Sequence, residues 1–591
     1  MKKLEIILST ILLLFLASCS NATFKGTAYK EENNFIKYDY DDTVIYESNF
    51  KNNLSNFKSN KCNAELETYL NKSVLKISNR SNWWDAAQMP INLEKNAYYL
   101  FEASIYQITG DFGSLFMSLD YYNLDKDLNE NTTLKNIEYK AREWCNLKGT
   151  FNAYNYNDFY LNIYTVNNSD YYISDVKITK INRDSSYASN YKDKIKDLAS
   201  NEDMMYGTMA YKDALYDENY NQYLSSHFNL YSCGNYLFLD ELKSKNEYNE
   251  ENPWPKSSYD ECDSYYEFAK KNNAKIRGHA LIHDGTTYDW FFRENYDTSL
   301  NYVDAKTLRL RLEHYIEDVI THYETLYPGM SYSFDVSNEG LCYDTNYADS
   351  EYYVRRSWPD GRENMFYTIL GRDYFKLIYA YARKYAHNNV KLFYNDYASF
   401  DDNATKFIKV ANWLNDGNPV YDESGNEVLS YDGTRLIDNS TILIDGVGLE
   451  GYFGIDVKDY ANNGGYELGD NNGRIAKAVR EYNYANLEVQ FTECTIINYD
   501  GSEESQINQA KLTYLFVKNL ISLNKELKEK GYKGITALVM WNTVDNPFLI
   551  NGEYSYGLSG TNSGLLDIHY YPKYSFYAII AAFKNEKFPI W

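Results

Sequence analysis

Hydrophobic and polar positions follow two different patterns along the chain. Between about Thr43 and Ile181, short runs rich in Val, Ile, Tyr and Phe alternate with Asn, Asp and Gly. Examples are Ser73–Ser78, Tyr98–Gln107, Ser114–Tyr121, Phe159–Tyr164 and Tyr171–Ile178. Runs of that length bounded by turn formers predict strands, and a succession of them predicts an all-β sandwich of the jelly-roll kind. From Tyr191 onward, helical stretches such as Leu308–Tyr327, Gly371–Tyr385 and Glu504–Lys530 alternate with short apolar runs. Those runs are Ile276–Ile282, Tyr332–Val336, Lys391–Tyr394, Leu443–Gly448, Leu487–Thr492 and Ala537–Met540. Strand and helix alternating over that length predict a parallel sheet, and their number suits a (β/α)8 barrel over 191–591. The sandwich is expected over 43–181, with 182–190 as a linker and the polar stretch 20–42 as a tether.

The N-terminus reads differently. Lys2 and Lys3 precede an apolar stretch from Ile6 to Ala17, too short to span a bilayer and shaped like a signal peptide. It ends in Leu16-Ala17-Ser18-Cys19-Ser20, which resembles a bacterial lipobox. On that resemblance residues 1–19 are a lipoprotein signal peptide and Cys19 is lipidated. The protein is then expected to be exported and anchored by lipid at the bacterial surface or outer membrane, its only membrane contact.

Composition narrows the partners. With 59 basic and 83 acidic residues the formal charge is −24, and no Lys/Arg-rich run stands out. Coulomb repulsion makes nucleic acid and anionic headgroups poor partners and favours a neutral ligand. The chain has 64 tyrosines among its 591 residues. They read equally as sugar-stacking platforms or as the mark of an AT-rich genome. After Cys19, the cysteines Cys62, Cys145, Cys233, Cys262, Cys342 and Cys494 show no zinc-ligand spacing. Their pairing stays open.

Candidate chemistry sits where two predicted strands end. Tyr332–Val336 runs into Ser337-Asn338-Glu339, and Leu487–Phe491 runs into Thr492-Glu493-Cys494. In a barrel both glutamates face the C-terminal mouth. Two facing carboxyls are the minimal set for glycoside hydrolysis, one protonating the leaving oxygen and the other attacking or activating water. Structural ion pairs are the alternative for either one alone.

The region from about Glu202 to Phe583 resembles glycoside hydrolase family 10, the retaining endo-β-1,4-xylanases. The resemblance rests on motifs in order: Arg277-Gly278-His279-Ala280-Leu281 with Asp289-Trp290-Phe291, Asp335-Val336-Ser337-Asn338-Glu339, Leu392–Tyr397, Asp445–Leu449, Thr492-Glu493 and Met540-Trp541. It implies that Glu339 is the acid/base catalyst and Glu493 the nucleophile of a double displacement on xylan. It implies further that Asn338 binds the 2-hydroxyl of the −1 sugar, His279 another hydroxyl of it, and Trp541 its apolar face. Asn235, His283 and Tyr452 complete the expected substrate contacts.

Several positions depart from the family pattern. His283 and Asp284 replace Trp-His, and Gly234 and Phe238 replace an acid and a Lys that grip the −2 sugar. Tyr452 and Thr495 replace a His and an Asp beside the nucleophile, and Glu450 replaces a Gln, adding a third carboxyl. These changes argue for altered specificity, on another β-linked or decorated glycan, more than for lost activity, since Glu339, Glu493 and Asn338 remain; a non-catalytic glycan-capturing lipoprotein is the alternative of a different class. The loop Trp413–Ser440 is expected to reshape one side of the cleft. The sandwich resembles carbohydrate-binding module family 22 through Arg80 with Trp83-Trp84, Leu93–Tyr99 with Phe101-Glu102-Ala103, Trp144 before Gly149-Thr150-Phe151, and Tyr172–Val176. Trp83 and Trp84 are its candidate sugar platforms, or core residues. No cofactor is expected. No Ca²⁺-cage motif stands out, although such sandwiches frequently hold one structural ion.

Overall fold

In–out alternation builds the N-terminal module. Along β6 (Tyr98–Gln107), Tyr99, Phe101, Ala103 and Ile105 are buried while Leu100, Glu102 and Ser104 are only partly covered. The computed structural model describes residues 36, 38–109, 112–210, 213–232, 234, 254, 257–387, 389–400, 403–454, 468–547 and 560–589. One sheet contains β1 (Thr43–Ser48), β3 (Asn63–Tyr69), β4 (Lys72–Ser78), β9 (Trp144–Asn152) and β11 (Tyr171–Ile181) together with β6. Its order is β3-β4-β11-β6-β9, with β1 added to β11. The second contains β2 (Lys58–Asn60), β5 (Ala86–Ile91), β7 (Phe112–Asn123), β8 (Leu128–Lys140) and β10 (Tyr156–Thr165), in the order β2-β5-β10-β7-β8. Their inner faces meet in one core that includes Leu75, Phe101, Leu119, Leu147, Leu161 and Ile173. Each such side chain contributes roughly 1.5–3 kcal/mol by leaving water.

The second unit is an eight-stranded parallel barrel. Its strands are β12 (Met205–Met209), β13 (Leu230–Ser232), β14 (Lys275–Gly278), β16 (Ser331–Asn338), β17 (Lys391–Asp396), β18 (Gly446–Gly454), β19 (Glu488–Ile497) and β20 (Ile535–Met540). They pair in the order β14-β13-β12-β20-β19-β18-β17-β16, and β14 also pairs with β16, which closes the sheet. A stub, β15 (Ile282–His283), pairs with the end of β16. Amphipathic helices cover the outside. Ala305–Leu326, for example, starts at Asp304, whose side chain accepts from the Thr307 N–H, and buries Leu308, Leu312, Tyr315, Ile316, Val319 and Tyr323.

Three sequence expectations need correction. The run Ile276–Ile282 is not one strand: the chain leaves the sheet after Gly278 and rejoins it at Ile282. The strand expected over 443–448 begins at Gly446 and runs to Gly454, because Leu443 and Ile444 lead into it as loop, their N–H groups held by the Asn415 side chain. The loop 413–440 does not border the cleft. It joins the helix Asn403–Leu414 to β18, so topology places it at the N-terminal end of the strands, opposite the mouth. There Glu313 accepts from the Ser430 hydroxyl and the Tyr431 N–H, pinning the loop to the outer helices.

The stretch between the two units is packed. Arg183 has its guanidinium 3.4 Å from the Tyr98 ring centroid of the sandwich and 4.6 Å from that of Tyr570 in the barrel. Its Nη1 donates to the Tyr570 hydroxyl at 2.8 Å. Upstream, Tyr40 stacks on His569 at 3.8 Å, and Asp42 pairs with the same imidazole at 3.0 Å. Asp217 accepts from the Tyr570 hydroxyl at 2.7 Å and pairs with Arg183 at 3.5 Å; both Asp217 and Tyr570 precede barrel helices in βα connections, so this seam lies at the mouth end. Among the described residues no helix is long and apolar enough to cross a membrane.

Candidate active site

Both predicted carboxyls stand at the mouth on strained backbone. Glu339, the residue after β16, has φ 52°, and Glu493, at an irregularity of β19, has φ 48°. Positive φ at a non-glycine residue costs on the order of 1–3 kcal/mol and is characteristic of functional sites. The Glu339 backbone is tied down by its N–H to the Asn395 carbonyl at 3.0 Å and by Arg355 Nε to its own carbonyl at 3.3 Å.

Asn395, at the end of β17, links the site. Its Nδ2 lies 2.8 Å from Glu493 Oε1, 2.9 Å from Asn338 Oδ1 and 2.9 Å from Glu450 Oε1. Its Oδ1 accepts from the Thr492 hydroxyl at 2.5 Å, which fixes the amide orientation. Gly448 makes room: a Cβ there would lie 2.4 Å from Asn395 Oδ1 and 2.5 Å from Arg277 Nη2. The bond from Asn395 to the Asn338 oxygen also fixes which end of the Asn338 amide is the donor.

A second network orients His279. Its Nδ1 lies 2.9 Å from Asp335 Oδ2, and its Nε2 lies 3.4 Å from Glu493 Oε1. Asp335 is fully buried and is also bonded by Arg277, which reaches Gln490 as well. Burial by itself lowers the His279 pKa, but the bond to Asp335 and the charges of Glu493 and Asp335 outweigh it, so the net direction is up. Trp541 meets the His279 ring edge to face at 5.6 Å. Asp335, Arg277, Asn395 and Thr492 were not among the expected site residues. Charged and amide side chains inside otherwise apolar strands were the available signal.

The two carboxyls have different surroundings. Glu493 receives the Tyr452 hydroxyl at 2.6 Å and the Asn395 amide; burial and the charge of Asp335 push its pKa up, and His279, Tyr452 and Asn395 offset only part of that, so the net direction is still up. Among the described residues no hydrogen-bond donor holds the Glu339 carboxyl. Burial first, then the charges of Asp396 and Glu493, push it up to about 7. His283 stands beside it, with Nε2 3.9 Å from Glu339 Oε2. Burial and the charges of His279 and Arg355 lower the His283 pKa to about 4, so its imidazole is neutral near pH 7. Asp284 is buried and accepts from Tyr374 at 2.5 Å and Asn364 at 2.8 Å. Asn235 and Phe238 lie outside the described residues, as do Cys233 and Cys19.

On the sandwich, Trp83 and Trp84 are not core residues: they are 42% and 52% exposed. Their rings meet edge to face at 5.4 Å, and Trp83 lies 5.8 Å from Tyr164, which stacks on Phe116. Buried Arg80 holds the loop beneath them. It donates to the carbonyls of Asp85, Thr165, Asn167 and Ser169 and to the Thr165 hydroxyl, and also reaches the Trp83 carbonyl. Among the described residues no cluster of three or more His, Cys, Asp or Glu side chains is arranged for a metal ion. No disulfide joins Cys62, Cys145, Cys342 or Cys494.

Comparison with known proteins places this geometry. Residues 194–582, well over half of the chain, match the family model for glycosyl hydrolase family 10. The chain belongs to that family. Residues 42–170 of this family 10 protein match a carbohydrate binding domain. It is 29% identical to endo-1,4-β-xylanase B of Butyrivibrio fibrisolvens over 342 residues, covering 57% of this chain and 46% of that protein. It is 24% identical to endo-1,4-β-xylanase A of Thermotoga maritima over 559 residues, covering 91% of this chain and 46% of that one. The chain thus spans about half the length of these relatives. In fold it is similar to the CBM22-1–GH10 modules of a Clostridium thermocellum endo-1,4-β-D-xylanase complexed with xylohexaose. That likeness has a TM-score of 0.53 at 20% identity and covers 92% of this chain and 97% of that one.

Proposed function

We propose that the barrel hydrolyses xylan as a retaining endo-β-1,4-xylanase, with Glu339 as acid/base and Glu493 as nucleophile, and that the sandwich binds the same polysaccharide. The carrying observation is the asymmetry of the two carboxyls. Among the described residues Glu339 has no donor stabilising its anion, and its pKa is raised to about 7, which suits a group that must give up a proton near neutrality. Glu493 is bonded by Tyr452 and Asn395 and lies beside His279, which favours its ionised form.

The steps follow from that pairing. Glu339 gives its proton to the glycosidic oxygen while Glu493 attacks the anomeric carbon, so the leaving sugar departs neutral and a glycosyl–enzyme ester forms. Glu339, now a carboxylate, takes a proton from water. That water attacks the anomeric carbon and Glu493 leaves. Two inversions give net retention. In this reading the NH2 of Asn338 binds the 2-hydroxyl, a contact that strengthens as positive charge develops on the ring. Trp541 offers an apolar face to the sugar.

The test is hydrolysis of xylan with the β-anomer as first product, observed by NMR. Glu493→Ala is expected to abolish turnover, with azide restoring cleavage and giving the α-glycosyl azide. Activity that survives the substitution removes the nucleophile assignment. A second reading, a decorated or different β-linked glycan, is favoured by the neutral His283 beside Glu339 and by Tyr452 against Glu493. Parallel rates on linear xylan, arabinoxylan and mixed-linkage glucan decide between the two. Binding without cleavage of any of them would favour a glycan-capturing protein. Lipid anchoring at the cell surface through Cys19 belongs to the same proposal, and loss of fatty-acid labelling in Cys19→Ser checks it.

A further inference from the structure

Three oxygens surround one amide nitrogen at the mouth. Asn395 Nδ2 carries two hydrogens, yet Glu493 Oε1, Asn338 Oδ1 and Glu450 Oε1 all lie within 2.9 Å of it. The amide cannot turn to relieve this, because Thr492 holds its oxygen. Asn338 has no charge to lose. The competition is therefore between the two carboxyls, which touch the same nitrogen.

Their other partners differ. Glu493 also receives the Tyr452 hydroxyl and lies 3.4 Å from His279 Nε2. Glu450 is 2% exposed, and among the described residues it has neither a cation nor a second donor. A buried carboxylate left in that condition pays its full desolvation cost. Acidic groups face it from several elements: Glu493 on β19, Glu339 and Asp335 on β16 and its end, and Asp396 on β17. Tyr397 and the Cys494 thiol are further weak acids nearby. The site's cations are engaged elsewhere: Arg277 on Asp335 and Gln490, Arg355 on the Glu339 and Leu341 carbonyls, and His279 on Asp335. Its strand neighbour Gly451 allows the close approach, since a Cβ there would lie 2.7 Å from Cys494 Sγ.

We propose that Glu450 is a positioning residue held as a neutral carboxylic acid, whose proton leaves the Asn395 amide to Asn338 and the nucleophile. When that proton is lost, the Glu450 anion takes the amide from its partners and sets a second negative charge beside Glu493. Burial, followed by the charges of Glu493, Glu339 and Asp396, acts in the direction that keeps the proton on. The consequence is an alkaline limit on glycosylation that does not belong to the acid/base catalyst.

The inference rests on the proposed hydrolytic function, and the test separates the two. Dinitrophenyl β-xylobioside has a leaving group that needs no proton, so its kcat/KM reports the first step without Glu339. On this substrate the parent is expected to lose activity as pH rises. Glu450→Gln, neutral at every pH, is expected to move that limb up by about one pH unit or more. Glu450→Ala is expected to lower kcat/KM roughly ten-fold or more, and Glu450→Gln to rescue most of that loss. An alkaline limb unmoved in Glu450→Gln, or a Gln variant as impaired as the Ala variant, overturns the proposal. Infrared spectroscopy gives a readout independent of turnover. At about pH 8, a carboxylic-acid C=O band is expected in the parent and not in Glu450→Gln. Spectra identical in that region overturn the proposal even if every glycan is cleaved. Failure to cleave any glycan removes the hydrolase reading and leaves the infrared result to decide Glu450 by itself.

Discussion

Replacing Tyr452 with Phe removes a single oxygen and tests the account of the nucleophile. That oxygen donates to Glu493 Oε2 at 2.6 Å, and the ring itself would stay in place. A hydrogen bond to a charged group contributes about 1.5–3 kcal/mol. Tyr452 is half-buried, so the lower half of that range applies, ~2 kcal/mol. At 1.36 kcal/mol per pKa unit this corresponds to roughly 1.5 units. The donor favours the ionised carboxyl, so its loss raises the Glu493 pKa. Catalysis requires the ionised form, so the acid limb of kcat/KM moves to higher pH, by about 1–1.5 units. Between the parent limb and the shifted one the variant's rate falls about tenfold per pH unit relative to the parent, and below both the deficit levels off at about 10–30-fold. The assay is the pH profile of kcat/KM on an aryl xylobioside, with thermal unfolding as the check on folding. An acid limb displaced by less than about 0.3 unit in a normally folded variant would refute the reasoning.

Two further outcomes bear on the binding module. Trp83→Ala is expected to weaken retention on insoluble xylan by roughly ten-fold, measured by depletion, with cleavage of a soluble aryl xylobioside as the internal control. Arg80→Ala strands several carbonyl acceptors below the tryptophan loop and is expected to destabilise the sandwich by about 3 kcal/mol. Calorimetry checks it: the sandwich contribution to unfolding should move to lower temperature while that of the barrel stays.

The barrel was legible where burial makes strands conspicuous. β16 and β19 are covered on both faces, so they read as apolar runs, and the residue that ends each run had to lie at the mouth. β12 and β13 left little pattern, being five and three residues long. The break after Gly278 escaped notice because residues on either side of it are equally buried. Loop 413–440 was misplaced because composition marks a loop without saying which end of the barrel it occupies. The two glutamates were legible as strand ends, but the hub at Asn395 was not. It exists only where β16, β17, β18 and β19 converge, and no local pattern encodes four strands meeting at one amide. Glu450 could be read as an extra carboxyl. That it lacks a counter-cation among the described residues is a fact about its neighbours, and only the fold supplies them.

The packing of Arg183 between Tyr98 and Tyr570 bears on how a long substrate is handled. A binding module on a slack arm raises the local concentration of polymer and lets any stretch of a captured chain visit the catalytic groove. A module fixed at the rim works like a ruler. It offers the groove only the segment lying at one set offset from the bound one. Chains shorter than that offset gain nothing from the sandwich, and longer ones gain its full effect. The benefit of the module should therefore appear as a step in degree of polymerisation and not as a gradual rise, and loosening the seam with Arg183→Ala should blunt the step.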